Sequence, residues 1–413
     1  MKRRNVLALV GAGFTGTSGC LRLQGGGTST PRESSTPEET SSDGNTPNGT
    51  PTDATPTDDG SNEVTLTESW TDENGVDNVW TRDSTFYYND YNYAAEASHG
   101  DGVSWSADTT YDGFDKNFGG HAFAANRQYA VFGYTPEVEE NEEQGAHFHA
   151  YRRYDGEKVW AVGAPSDGNH KLAVGATVVG DTAVLGVADY GGGNAEEPLV
   201  YGVDIETGEI RWEVDRSVLS GESITYVGSH GGDVYVGVRR LGEYTDGVQV
   251  LAGDTGTLVE THEGWAVGMA GLESVAQIHG EALFACFGSY ITAHPLGENG
   301  PSWPTSEFDS RFSSLVVDNS LVVAGTENGG VYAFERDSGE TRWETTITNS
   351  VAAVETTASH VWVGDTDIGL TAYDRENGSP VHRSTKPING DDIGVADDVL
   401  LLGGDTATAY TID

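Results

Sequence analysis

Residues 320–347 read SLVVAGTENGGVYAFERDSGETRWETTI, and this stretch decides the fold. The apolar run LVVAGT, a short polar connection and a second run, VYAFE, form two strands. A tight Asp-Ser-Gly turn follows, and then a short strand carrying Trp343. Gly339 stands where the chain must reverse, and glycine tolerates the positive φ that such a turn demands. Trp343, four residues later, is a large apolar plate suited to packing between neighbouring units.

The pattern recurs. Clear copies occupy 182–215 and 359–382, and weaker ones occupy 128–160, 233–259 and 281–303. Gly156 precedes Trp160, and Gly208 precedes Trp212, by the same four residues. Another strand is legible before most copies, as in KLAVGATVV, SITYVGS, RFSSLVVD and SVAAVET. Each unit is therefore four short strands in about 40–55 residues, the signature of a propeller blade. A degenerate copy, FYYNDYNYAAEASHGDGVSW, supplies a first blade ending at Trp105, and six more end at Trp160, Trp212, Val259, Trp303, Trp343 and His382. The last unit, VLLLGGDTATAYTID, stops at Asp413 without an outer strand, and EVTLTESW, up to Trp70, is a strand that belongs to no other unit. The expectation is an all-β, eight-bladed propeller of four-stranded antiparallel blades over 64–413, closed by that N-terminal strand. Seven blades is the alternative, because the first copy is poor.

The repeats VYAFERDSGETRW and VYGVDIETGEIRW resemble the pyrroloquinoline-quinone (PQQ)-like repeat, and the resemblance covers roughly residues 64–413. It implies the propeller fold strongly and the chemistry weakly. The family includes quinoprotein dehydrogenases, the non-enzymatic propeller lipoprotein of the outer-membrane barrel assembly machinery, and sensor or surface domains that bind no quinone. A dehydrogenase of this kind holds a quinone and Ca²⁺ in its channel with an Asp base, often against a disulfide of adjacent cysteines. This chain has only Cys20 and Cys286 and no Cys-x-x-Cys-His haem motif. No catalytic residue, cofactor or metal is therefore assigned, and the protein is expected not to be an enzyme.

Composition narrows the partners. Against 65 Asp plus Glu stand 22 Lys plus Arg, a formal charge of −43. Such a polyanion is repelled by nucleic acid and lacks a polybasic grip on anionic lipid. At molar salt the Debye length shrinks to about 3 Å and a dense carboxylate surface repels itself little, so the composition suits a halophilic protein. The export signal and acidity together make a haloarchaeal-type surface lipoprotein the nearest relative in kind.

Residues 1–20 read as an export signal. Arg3 and Arg4 before Asn-Val-Leu resemble a twin-arginine signal, and the apolar run is far short of a membrane span. Cys20 after Thr17-Ser-Gly19 resembles a lipobox and is the expected lipidation site, with simple secretion as the alternative. Residues 21–63, rich in Thr, Pro, Ser and Asp, form a tether that cannot bury enough apolar surface to order itself. Asn48 and Asn377 head glycosylation sequons.

His147 and His149 are the one local histidine pair, on one face of a strand beside the acidic run Glu137–Glu143. A metal can be imagined there, but a solvated strand face is the expectation. The connections between second and third strands lengthen in blades 2, 3 and 4: TPEVEENEEQGA, ADYGGGNAEEP and RRLGEYTDG. In a propeller these emerge on one face, and functional surfaces sit on loops carried by rigid scaffolds. The expected function is a lipid-anchored, monomeric, protein-binding or scaffold module at the cell surface, its partner another protein on the long-loop face. The alternatives are a PQQ-dependent dehydrogenase and a ligand- or carbohydrate-binding sensor, the latter using Tyr190 and Tyr244.

Overall fold

The computed structural model describes residues 64–413 except 91–92, 99, 110–121, 136–144, 165–170, 190–196, 220, 222, 240–246, 271–272, 305, 367–368 and 385–392. Cys20, Arg3, Arg4 and Asn48, the tether, most of each long loop, Tyr190 and Tyr244 lie outside the described residues. Met1–Asn62 and Glu63–Asp413 are separate units.

Eight four-stranded antiparallel sheets make up the second unit among the described residues. Blades 1 to 7 span 78–108, 122–164, 171–215, 223–263, 276–307, 312–346 and 351–383. Blade 8 takes three strands from 393–412 and its fourth from Leu66–Asp72. The eight-blade reading and the N-terminal closure are both correct. First strands of successive blades abut around the ring, so they form the inner wall and the fourth strands form the rim. The up-and-down order puts the connections between second and third strands, and between blades, on one face (the loop face). The glycine turns lie on the other (the turn face).

What joins the blades is an indole. In blade 3, Gly208 adopts φ +76°. Its N–H donates to the Asp204 carbonyl at 2.9 Å, and the Asp204 N–H donates to the Glu209 carbonyl at 2.8 Å. The turn thus presents a bare glycine and an outward carbonyl. Trp160 of blade 2 lies flat on it: an added Cβ on Gly208 would stand 2.6 Å from Trp160. The Trp160 Nε1–H donates to the Ile205 carbonyl of the same turn at 2.8 Å. Trp212, Trp303 and Trp343 repeat this on the Gly253, Arg336 and Arg375 carbonyls of blades 4, 6 and 7. Trp105 and Trp70 cover Gly156 and Gly102. Each glycine of the repeat therefore serves the tryptophan of the preceding blade, not the one four residues after it.

Two joints differ. Blade 7 offers His382, whose Nδ1 bonds the Val64 carbonyl at 2.8 Å, at the start of the closing strand. Blade 4 offers Val259, which is 58% exposed and does not act as a wedge.

Ion pairs staple neighbouring blades as well. Arg153 grips both carboxylate oxygens of Glu96, at 3.0 and 3.3 Å. Arg375 reaches Asp318 at 2.6 Å. Burial alone would raise the Asp318 carboxyl, but Arg375 and the N–H groups of Ser320 and Leu321 pull it down to about 2. At the closing seam, Asp413 and Thr65 exchange backbone hydrogen bonds of 3.0 and 3.1 Å. Asp72, at the far end of that strand, accepts the hydroxyls of Tyr88 at 2.9 Å and Tyr93 at 2.6 Å in blade 1.

Trp160→Ala should lower stability by about 3–5 kcal/mol, from lost burial and the cavity left behind. Trp160→Phe should cost about 1–3 kcal/mol, because the ring survives but the Ile205 carbonyl loses its donor. Denaturant midpoints in molar salt would check both, and a Trp160→Phe protein as stable as the parent would show that the Nε1–H bond contributes nothing.

Candidate functional site

Buried polar side chains concentrate at the loop face of blades 1 to 3. The first residue of blade 3, Lys171, pairs in register with Asp189, the last residue of the second strand. Glu197, just before the third strand, lies 3.6 Å from the Lys171 Nζ. Arg216, just after the fourth, forms an ion pair with Asp189. All four are at most 8% exposed. Two cations and two anions thus share one buried cluster, at strand ends that bracket the long loop of this blade. Such charges are tolerated inside a protein only when paired and hydrogen-bonded. In a chain this poor in lysine, a lysine opening the apolar strand KLAVGATVV was the one visible signal, and charge alone did not reveal its partners.

In blade 2 the third strand, Ala146–Arg152, carries His147 and His149. The expectation of a solvated strand face is wrong: they are 1% and 0% exposed. Period-two alternation yields a wet face only where one side of a sheet meets water, and a blade has both sides packed against neighbouring blades. The His147 ring stacks on Tyr134 at 5.6 Å and lies 4.9 Å from His149. The Nδ1 of His149 is 3.1 Å from the Tyr151 hydroxyl. Burial pushes His147 down to about 4, with Lys158 adding to the effect. Burial, then His147 and Lys158, push His149 to about 2. Both imidazoles are therefore neutral at pH 7. No group of three or more His, Cys, Asp or Glu able to hold a metal occurs among the described residues. Beside this layer, in blade 1, Asn78 Nδ2 donates to Asn89 Oδ1 at 3.0 Å, both side chains buried.

The inner wall is chemically plain. Its first strands carry Arg82, Lys171 and Glu355 as the only charged residues among those described, with no Asp. Trp80 of blade 1 stacks on Phe123 of blade 2 at 5.1 Å and 18°. Elsewhere small hydroxyls cross-link the wall: Thr177 to Ser229 at 2.7 Å, and Ser313 to the Val351 carbonyl at 2.7 Å. Glu355 is half-buried, and burial raises it to about 8. Cys286 is buried, and its thiol is pushed well up by burial. Asn377 sits exposed in the blade 7 turn, its Oδ1 accepting the Ser379 N–H at 2.8 Å.

Lys171→Met should destabilise by about 3–5 kcal/mol by orphaning buried carboxylates, and adding Glu197→Leu should recover part of that loss. The two buried histidines also fix a pH dependence. Below pH 6.5 the unfolded chain takes up protons that the folded histidines refuse, so stability falls as pH falls. The slope is at most about 1.4 kcal/mol per pH unit per histidine, levelling for His147 below about 4. Thermal or denaturant unfolding at pH 4.5, 5.5 and 7 would show it, and His147→Phe/His149→Phe should flatten the curve.

Comparison with known proteins agrees with this architecture. The family model described as outer membrane protein assembly factor BamB matches residues 93–384 and 296–410. The crystal structure of BamB from Moraxella catarrhalis superposes with TM-score 0.59 at 17% identity, over 84% of this chain and 100% of that one. Quinohemoprotein alcohol dehydrogenase from Comamonas testosteroni gives 0.58 at 12%, over 85% and 76%. The C-terminal WD40 domain of Sif2 gives 0.60 at 11%, over 84% and 98%. Identities this low show a shared fold alone. No curated protein matches the sequence. The match over most of the chain places the protein in the PQQ-like repeat family described by the assembly factor BamB.

Proposed function

We propose that this protein is a non-enzymatic scaffold that binds another protein on its loop face. In this reading it is exported through its twin-arginine signal and anchored by lipid at Cys20, in a medium of concentrated salt. The four-charge cluster Lys171–Asp189–Glu197–Arg216 carries the reading. Buried charge is an expensive way to hold strand ends, and it is placed where the longest connections leave the ring. A rigid base under long loops suits recognition of a partner. The family's own descriptor is an outer membrane protein assembly factor.

The rival is quinone-dependent oxidation, because the same fold serves a quinohemoprotein alcohol dehydrogenase. A quinone with Ca²⁺ would need carboxylate and guanidinium donors converging on the channel. The described inner strands offer one arginine, Arg82, at the end of its strand, one glutamate raised to about 8 and no aspartate. These residues do not fit that group. Fold alone decides nothing between the two.

The test is direct. The exported protein in molar salt would be titrated with PQQ and Ca²⁺ while tryptophan fluorescence and dye-linked oxidation of alcohols are followed. In parallel, photo-crosslinkers would be placed at Val218, exposed on the loop face beside Arg216, and at Ser338 on the turn face. The expected outcome is no saturable quinone binding, no turnover, and a protein adduct from the loop-face position alone. Micromolar quinone binding, or crosslinks from the turn face only, would overturn the proposal. Dilution into low salt should also destabilise the fold as carboxylate repulsion is unmasked.

A further inference from the structure

The joint between blades 4 and 5 is built unlike the other seven. Each of those places an indole or imidazole from the outer strand of one blade, or from just before it, on the turn or strand start of the next. Blade 4 has Leu258 and Val259 at that point, 38% and 58% exposed. Every residue of its outer strand, Leu258–Glu263, is exposed except His262, so no buried side chain pins it. The wedge comes instead from the linker. Trp265 lies against His262 of blade 4 with ring centroids 3.8 Å apart and planes 8° from parallel. Its other face meets His294, on the third strand of blade 5, at 4.4 Å and 12°. Tyr226, Tyr235, Val248, Val267 and Leu283 form the apolar bed beside it.

We propose that this imidazole–indole–imidazole sandwich is a proton-sensitive latch, and that the ring opens locally at the blade 4–5 joint on mild acidification. An imidazole wedged against an indole in a half-buried slot is stable there when neutral. Opening the joint returns it to water, where it takes up a proton freely. Burial, with His262 nearby, holds His294 at about 4 in the closed joint, against an ordinary value near 6.5 in the open one. Acid therefore favours opening between those limits and favours nothing above them.

The other titratable groups around the joint are few. Glu260, on the outer strand, lies 3.6 Å from His262. Glu263 ends that strand, and the Glu281 carbonyl takes the Leu296 N–H from the blade 5 side. Tyr226 and Tyr235 behind the stack are raised by burial, as is Cys286, whose carbonyl takes the linker N–H of Gly268. These three stay neutral throughout the acidic range.

Hydrogen exchange on the whole protein in molar salt, corrected for intrinsic rates, tests this between pH 5 and 7.5. Protection in Leu258–Glu263 and Tyr290–Pro295 should fall up to roughly tenfold per pH unit below 6.5 beyond the fall that buried His147 and His149 impose on the whole ring, which strands of blades 3 and 6 report. His294→Phe, which keeps a ring in the stack but cannot take a proton, should abolish that excess. If that variant fails to fold, His294→Gln and the acid quenching of Trp265 fluorescence, isolated by difference with Trp265→Phe, serve instead. A fall at the blade 4–5 joint no steeper than in blades 3 and 6, or an unchanged excess in the His294 variants, would each overturn the latch.

Discussion

The ring hangs on one contact, an indole laid across a bare glycine, and at four of the eight joints its N–H also bonds the carbonyl beside that glycine. In that full form the contact does three jobs with one side chain. It buries a large apolar plate, it satisfies a polar atom at each end, and it fixes the angle between successive blades. Glycine is needed at Gly208 because any Cβ would occupy the space taken by Trp160, and because φ +76° strains other residues. Sheets with both faces covered have no freedom to slide once these plates are seated. The closing strand obeys the same logic, since His382 bonds the Val64 carbonyl where other blades offer a turn.

This explains which parts of the molecule could be read from the sequence. The spacing of Gly156 to Trp160, Gly208 to Trp212 and Gly339 to Trp343 is local, so the repeat, the blade count and the orphan strand before Trp70 were all legible. The pairing of each indole with a turn one blade further on was not, because it joins Trp160 to Ile205 across 45 residues. Alternation misled at His147 and His149 for a related reason. Period two reports the two faces of a sheet, and in a propeller both faces are interior. Val259 aligned correctly with the wedge position, but alignment does not tell whether a small side chain fills the slot. Trp265, six residues later, does.

The buried charges were harder still. A surplus of carboxylates hides the few that are functional in the fold, and it is the arginines and lysines that betray them. Arg153, Arg211, Arg342 and Arg375 hold Glu96, Asp181, Glu335 and Asp318 on or near the turn face. Lys171 and Arg216 do the same at the loop face, with less solvent. In an acidic chain, scarce cations are therefore the economical place to look for structural carboxylates.

The two faces then differ in kind. The turn face is regular and hydrogen-bonded turn by turn. Its pairs range from Arg211–Asp181 and Arg342–Glu335, partly exposed, modest in worth and screened by salt, to the mostly buried Arg153–Glu96 and Arg375–Asp318. At the loop face Lys171, Asp189, Glu197 and Arg216 are all buried together, and salt weakens such pairs little. Concentrated salt would soften the exposed pairs and leave the buried ones in place. The proposed partner surface lies beside a cluster of the second kind, and that, rather than the fold, is the physical reason to look for recognition on the loop face.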